Sequence, residues 1–403
     1  MSRRELTVAA LAVALFFAGW AALHVSWFRH GEISDLPVYE RYGNWVEDGR
    51  VPYADFRVEY PPLALPAFVI PSLLSHSEHG YRVAFETLMA ACGAAAVLLV
   101  AWILARLRAG PRRTALALAL VALAPLLLGP VVLTRFDLWP ALLTLAALAA
   151  LVAGRGRLGA LALGLAIAAK LYPVVLLPLL GAWLWRHRGR REAAFGVGLA
   201  VALPLLAYLP FAVLELHPVL VSVGRQLGRP LQLESLGAAV LVAGHHVLGY
   251  GLDWSSSHGS QNVDGTGAMV LAALTSLLQV GLLAWVWVRF ARGPAEPERL
   301  VRHSAAALAV FVSFGKVLSP QFLIWLIPVV PLVAGRRGLW AGWLFAAACV
   351  LTQVWFPRRY WDYVYTFDPL ASWSILVRDL ALVALVGALL WATARERESA
   401  RSP

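Results

Sequence analysis

"AMVLAALTSLLQVGLLAWVWV", residues 268–288, runs for 21 residues without a charge and stops at Arg289. At about 1.5 Å per residue, a helix of that length crosses the roughly 30 Å of hydrocarbon in a bilayer. "LTVAALAVALFFAGWAALHV" (6–25) has the same character near the start of the chain. Around these runs the composition is 60% hydrophobic and only 14% charged, with 17 tryptophans in 403 residues, which soluble globular domains do not show. The chain therefore reads as an integral membrane protein. Its apolar runs have helical length rather than the ten-residue alternation of a membrane barrel, so the fold class is all-α and polytopic. Arg3 and Arg4 precede the first run as they would in a signal peptide; at about 20 residues it is long for a signal core, and it reads as an uncleaved first helix.

A net charge of +11 would suggest a nucleic-acid partner in a soluble protein, but the arginines sit in short breaks between apolar runs. Arg3 and Arg4, with the clusters at 106–113, 155–157, 186–191, 289–302, 335–338 and 395–401, hold 21 of the 34 basic residues. By the positive-inside rule these breaks are cytoplasmic, and basicity reports topology instead of a nucleic-acid site. Joining them predicts about twelve spans with both termini inside, forming one transmembrane domain over 1–403. Two large extracytoplasmic loops follow, at 28–82 and 214–265. Segments 114–153, 158–185 and 303–334 each begin and end at a basic break, so each reads as a hairpin, the last two with arms too short to cross fully. The stretch 61–74, interrupted by Pro61, Pro62, Pro66 and Pro71, reads as an outer juxtamembrane or re-entrant piece. "WSSSHGSQNVDGTG" (254–267) reads as a flexible loop. Cys92 and Cys349 lie within apolar runs and offer no disulfide framework.

The polar chemistry collects at the hairpin tips: Arg135 and Asp137 in "TRFDLWP", Lys170 in "AAKLYPVV", and Lys316 with Ser319 and Gln321 in "FGKVLSPQF". The chain uses arginine 32 times and lysine twice, and both lysines are at these tips. Ionisable groups at membrane depth are costly and mark functional interiors. Three cations beside broken helices make an anion pocket; the competing reading is that each pairs with a nearby acid, as Arg135 could with Asp137.

The first loop carries seven acids among residues 30–66. Asp35 follows the first helix closely and precedes "PVY", which places it at the membrane surface, where one carboxylate opposite a cationic pocket suits a general base. Glu59 and Tyr60, held there by Pro61 and Pro62, border the same region. Glu59 either contacts a ligand hydroxyl or pairs with Arg57 or a tip cation. In "RQLGRPLQLESLGAAV" (225–240), Arg229, Gln232, Glu234 and Ser235 suggest a loop leading into a short helix with Glu234 and Ser235 near its start, either as hydroxyl-recognition groups or as a capped interfacial helix. The "WFPRRYWDYVYTFDP" stretch (355–369) reads as a membrane aromatic belt, with ligand stacking or anion contact by Arg358 and Arg359 as the sharper alternative.

Taken in order, "DLPVY", "GRVPYADFRVEYPPLAL", "AIAAKLYPVVLLPLL", "RPLQLESLGAAVL" and "GKVLSPQFLIWLIP" resemble glycosyltransferase family 87, a family of GT-C fold membrane enzymes that includes polyprenol-phosphate-mannose-dependent α-1,2-mannosyltransferases. The resemblance implies inverting transfer of a hexose, mannose by default, from a polyprenyl-phosphate donor to a glycolipid or polysaccharide acceptor at the extracytoplasmic face of the cell membrane. Asp35 matches the position of the family's proposed catalytic aspartate. Lys170, Lys316 and Gln321 fall in segments that resemble motifs near the donor. On this reading Lys170, Lys316 and Arg135 meet the donor phosphate, while Glu59, Tyr60, Arg229, Gln232, Glu234 and Gln321 meet sugar or acceptor. The first loop lacks an Asp-x-Asp pair and no cofactor is implied, so the reaction is expected to need no metal; activity lost in chelator and restored by Mg²⁺ or Mn²⁺ would overturn this. A lipid-linked-sugar transporter or flippase is the alternative, since it too uses intramembrane cations and broken helices.

Overall fold

A computed structural model describes residues 1–25, 28 and 33–390; the basic cluster at 395–401 and part of the first loop lie outside the described residues. The chain forms helices α1 (Arg3–Ala22), α2 (Leu36–Glu47), α3 (Leu65–Leu74), α4 (Glu78–Arg106), α5 (Pro111–Leu128), α6 (Leu138–Val152), α7 (Gly156–Ala169) and α8 (Leu177–Arg188). It continues through α9 (Arg190–Leu214), α10 (Leu216–Leu227), α11 (Leu236–Leu248), α12 (Thr266–Arg292), α13 (Pro297–Phe314), α14 (Gly335–Trp355), α15 (Tyr360–Thr366) and α16 (Pro369–Leu390). Among the described residues, α1, α4, α5, α9, α12, α14 and α16 are long and apolar enough to cross a membrane. Five shorter apolar pieces accompany them, including α6, α7 and α11. The protein is an all-α polytopic membrane protein.

The expected hairpins take different forms because their sequences do. α5 and α6 meet at a tip formed by 129–137, and α7 packs on both α6 and α9. The second hairpin has short arms, α7 and α8, broken at a 3₁₀ turn over Tyr172–Leu176 that contains Pro173. In the third, α13 is a regular helix but the returning arm is two 3₁₀ turns, Pro320–Trp325 and Val330–Leu332. Pro320, Pro328 and Pro331 remove backbone donors at short intervals there, so no α-helical ladder can run through.

The proline-rich stretch, expected as a juxtamembrane or re-entrant piece, holds a short helix, α3, which carries Pro66 in its first turn and Pro71 inside it and follows a 3₁₀ turn at Pro62–Ala64. α2 lies across α3 so closely that a Cβ on Gly43 would stand 2.5 Å from Phe68 O. The flexible loop expected at 254–267 is corrected, since it has regular structure. The serine-rich stretch is an antiparallel hairpin, β1 (Trp254–Ser257) and β2 (Ser260–Val263), pairing Trp254 with Val263 and Ser257 with Ser260. Gly259, at φ +69°, provides the left-handed turn residue that such a two-residue connection needs.

Candidate active site

Two ion pairs are stacked where the first polar segment meets the first two hairpin tips. Arg135, only 6% exposed, places Nε 3.1 Å from Asp35 Oδ2, although its N–H is not directed at that oxygen. Its Nη1 donates to Thr134 O and Oγ1 at 3.1 Å each and to Ile33 O at 3.3 Å, which fixes the guanidinium. Tyr39 OH also donates to Asp35 Oδ2, at 3.3 Å. Both contacts fall on one oxygen. Asp35 Oδ1 has no partner among the described residues, and the side chain is 32% exposed. Asp35 is also the residue preceding α2, so its backbone is held by Val38 N and Tyr39 N while its carboxylate caps nothing.

Deeper in, Lys170 Nζ donates to Asp137 Oδ1 at 2.6 Å, and Trp325 Nε1 reaches the same oxygen at 2.5 Å. Asp137 Oδ2 is buried without a partner. The ammonium is boxed by Phe136 at 4.5 Å, Trp325 at 5.3 Å and Tyr60 at 5.8 Å, contacts in which a ring face attracts a cation. The acid that answers Lys170 is thus 33 residues away, and the acid that answers Arg135 is Asp35 instead of Asp137. Tyr60 joins the two pairs: its ring packs on Phe136 at 4.9 Å, its carbonyl accepts from Tyr53 OH at 2.6 Å, and Asp35, Glu59 and Arg135 are all within its electrostatic reach.

Lys316 has a different partner, donating to Leu227 O at 2.9 Å. Its segment is laced to the 227–235 loop, for Gln232 N donates to Lys316 O at 2.9 Å and Gln232 Nε2 to Ser319 Oγ at 2.8 Å. β2 secures the loop from the other side through Val263 N to Leu231 O and Leu233 N to Gln261 O. Three polar atoms on this loop are buried and unpartnered among the described residues: Arg229 Nε, Gln232 Oε1 and Glu234 Oε2. Such atoms are costly unless something polar meets them. Ser235 caps α11 by accepting from Ala238 N, as the sequence suggested. Gln321, in the 3₁₀ turn, makes no side-chain hydrogen bond to a described residue.

Burial pushes the Glu234 carboxyl up to about 7, against the opposing pull of Arg378 and Arg229. A carboxyl raised in the folded state stabilises the fold fully below its ordinary value of 4.5, and that contribution is lost as pH rises through about 7. The denaturation midpoint in detergent is expected to fall between about pH 5 and 8, and Glu234→Gln to flatten that fall. An equal fall in the variant would show that another group is responsible.

The sequence profile of glycosyltransferase family 87 matches residues 59–320, well over half of the chain. The chain belongs to glycosyltransferase family 87. It is a membrane glycosyltransferase. Among solved structures it is similar to ArnT from Cupriavidus metallidurans bound to undecaprenyl phosphate, at 14% identity over 95% of this chain and 76% of that one, with a TM-score of 0.49. The apo form of the same protein gives 16% identity over 94% and 76%, with a TM-score of 0.48. No curated protein sequence matches the chain.

Within this family 87 enzyme, Asp35 lies ahead of the matched residues, whereas Glu59, Tyr60, Arg135, Lys170, Arg229, Gln232, Glu234 and Lys316 lie within them. Residues beyond the match support the site and escaped the sequence reading. Arg378, fully buried in α16, donates from Nη2 to Glu234 O at 2.6 Å and holds Asp379 Oδ1 at 2.6 Å from Nε. Tyr363, buried in α15, donates to Leu233 O at 2.7 Å. The signal for the first was visible as an adjacent Arg–Asp pair inside the apolar run of α16. Tyr363 was hidden in the stretch read as an aromatic belt, where Trp355, Phe356 and Phe367 are buried as well.

Proposed function

We propose that this glycosyltransferase moves a hexose, mannose as the first expectation, from its polyprenyl-phosphate donor to a hydroxyl of a glycolipid or polysaccharide, at the extracytoplasmic face of the plasma membrane and with inversion. The observation that carries the proposal is the Asp35 carboxylate, with Oδ2 facing Arg135 and Tyr39 and Oδ1 without a partner among the described residues. Asp35 Oδ1 takes the proton of the acceptor hydroxyl while that oxygen bonds to the anomeric carbon from the face opposite the leaving group. The bond from carbon to the phosphate oxygen breaks, and the electron pair leaves with the lipid phosphate.

Protonation of Asp35 removes the charge that balances Arg135. The guanidinium is thereby uncompensated at the moment the departing phosphate gains its negative charge, so one proton transfer serves both ends of the reaction. Lys170 adds positive field from behind, and Lys316 keeps two ammonium hydrogens free beyond the one given to Leu227 O. Arg229, Gln232 and Glu234 offer their unpartnered atoms to sugar hydroxyls, with Glu59, Tyr60 and Gln321 at the edge of the same region. Incubating purified protein with labelled polyprenyl-phosphate mannose and a mannolipid acceptor is expected to give a glycoside of inverted anomeric configuration, read by NMR. Retention, or movement of the lipid without sugar transfer, would defeat the reading.

A further inference from the structure

A cleft of about 430 Å³ opens between residues 53–59, α10 and the β1–β2 turn. It shares Glu59 with the proposed transfer site, while Asp35, Arg135 and Lys170 do not line it. Its size is that of a small-ligand site. Tyr42, Tyr53 and Phe56, all buried, form its floor. The walls are fixed to one another, for Ser222 Oγ donates to Val58 O at 2.7 Å and Gln226 Nε2 to Glu59 O at 3.0 Å. The hairpin turn closes the third side so tightly that a Cβ on Gly259 would stand 3.2 Å from Glu59 Oε2.

The rim carries two guanidiniums, two imidazoles and two carboxylates. Arg57, Arg225, His217 and His258 face Asp55 and Glu59. Asp55 is already engaged, its Oδ2 accepting from Val51 N at 2.7 Å. Glu59 is shared, with Arg229 and Asp35 on the transfer side and Arg225 and His258 on this one. Neither Arg57 nor Arg225 makes an ion pair, hydrogen bond or ring contact with a described residue. Two guanidiniums over an aromatic floor, neither hydrogen-bonded to a described residue and only Arg225 within electrostatic reach of Glu59, match a ligand that presents both a sugar face and a negative group: rings stack on sugar faces, and the forked donors take phosphate or carboxylate two bonds at a time.

We infer that this cleft is a subsite for an anionic saccharide, the part of the acceptor that lies beyond the reacting sugar and carries a phosphate or comparable negative group. The inference rests on the transfer reading for the name acceptor, but its test does not need transfer. Full-length protein in nanodiscs is titrated with mannose 6-phosphate, methyl α-mannoside and inorganic phosphate. Mannose 6-phosphate is expected to bind at least about tenfold more tightly than either of the others. That preference should be lost in Arg57→Gln/Arg225→Gln, retained in Arg57→Lys/Arg225→Lys and weakened by salt. Both arginines are at the rim, so the substitutions leave the fold intact, as the thermal midpoint of each variant will report. Equal binding of the phosphorylated and neutral sugars, equal binding of bare phosphate, no binding at all, or a double glutamine variant that binds as well as the parent would each overturn the subsite. Donor turnover measured on the same preparation reports separately on the transferase reading, which can fail while the cleft still binds the phosphorylated sugar.

Discussion

Asp35→Asn is expected to lower turnover by about 10²–10⁴-fold while leaving donor binding unchanged or slightly tighter. The two effects have opposite signs because the carboxylate has two roles. As a base it must accept a proton, which a carboxamide does not do at neutral pH. As the partner of Arg135 it screens the guanidinium 3.1 Å away, and removing that charge leaves Arg135 permanently exposed to the donor phosphate. The fold should tolerate the change, since the side chain is a third exposed and caps no helix. Arg135→Gln is the counterpart: donor binding weakens, and turnover falls with it, because the charge unmasked in the reaction is gone. Steady-state kinetics with donor and acceptor varied separately, together with donor binding by the inactive protein, distinguish these patterns. An Asp35→Asn enzyme that retains wild-type turnover removes Asp35 from the chemistry. One whose donor binding collapses makes it a binding group instead of a base.

The sequence shows some of this directly and conceals the rest for a physical reason. Spans, hairpin tips and the polar loop before α11 are local features, written in runs of apolar residues, in prolines and in the Ser235 cap. What a single strand of text does not carry is which tip meets which. Lys170 has no acid near it in sequence and finds Asp137 only because α6 and α7 pack as a hairpin. Arg135 lies two residues from Asp137 yet faces Asp35 across the fold. The third hairpin kept its tip but lost its second helix, because spaced prolines remove backbone donors without changing hydrophobicity. The serine-rich loop became a hairpin because Leu231 and Leu233 extend its hydrogen-bonded edge, a pairing between segments some thirty residues apart in sequence. Arg378 was the clearest missed signal. A charged pair inside an apolar helix is expensive unless it is used, and here it holds the backbone of the loop that carries Glu234.

Asp137→Ala tests whether Lys170 is structural or functional, and it is expected to be the most destabilising single change in the site. Removing one partner of a buried ion pair leaves the other charge uncompensated, at a cost of about 3–5 kcal/mol. The aromatic box around the ammonium is weaker than the carboxylate it would have to replace. That result alone cannot say what Lys170 does, because an unfolded protein is also inactive. The informative variant changes both partners, Lys170→Met with Asp137→Asn. The thioether chain fills the box formed by Phe136, Trp325 and Tyr60, and the Asn amide oxygen still accepts from Trp325 Nε1, so no charge is stranded and the indole keeps its acceptor. The double variant should therefore regain most of the thermal stability lost in Asp137→Ala. If Lys170 supplies field to the departing phosphate, it should remain slow, with a reduced maximal rate and little change in the acceptor KM. Wild-type turnover in the folded double variant would reduce the lysine, the aspartate and their aromatic box to a rivet between hairpins and leave Arg135 and Lys316 to balance the phosphate.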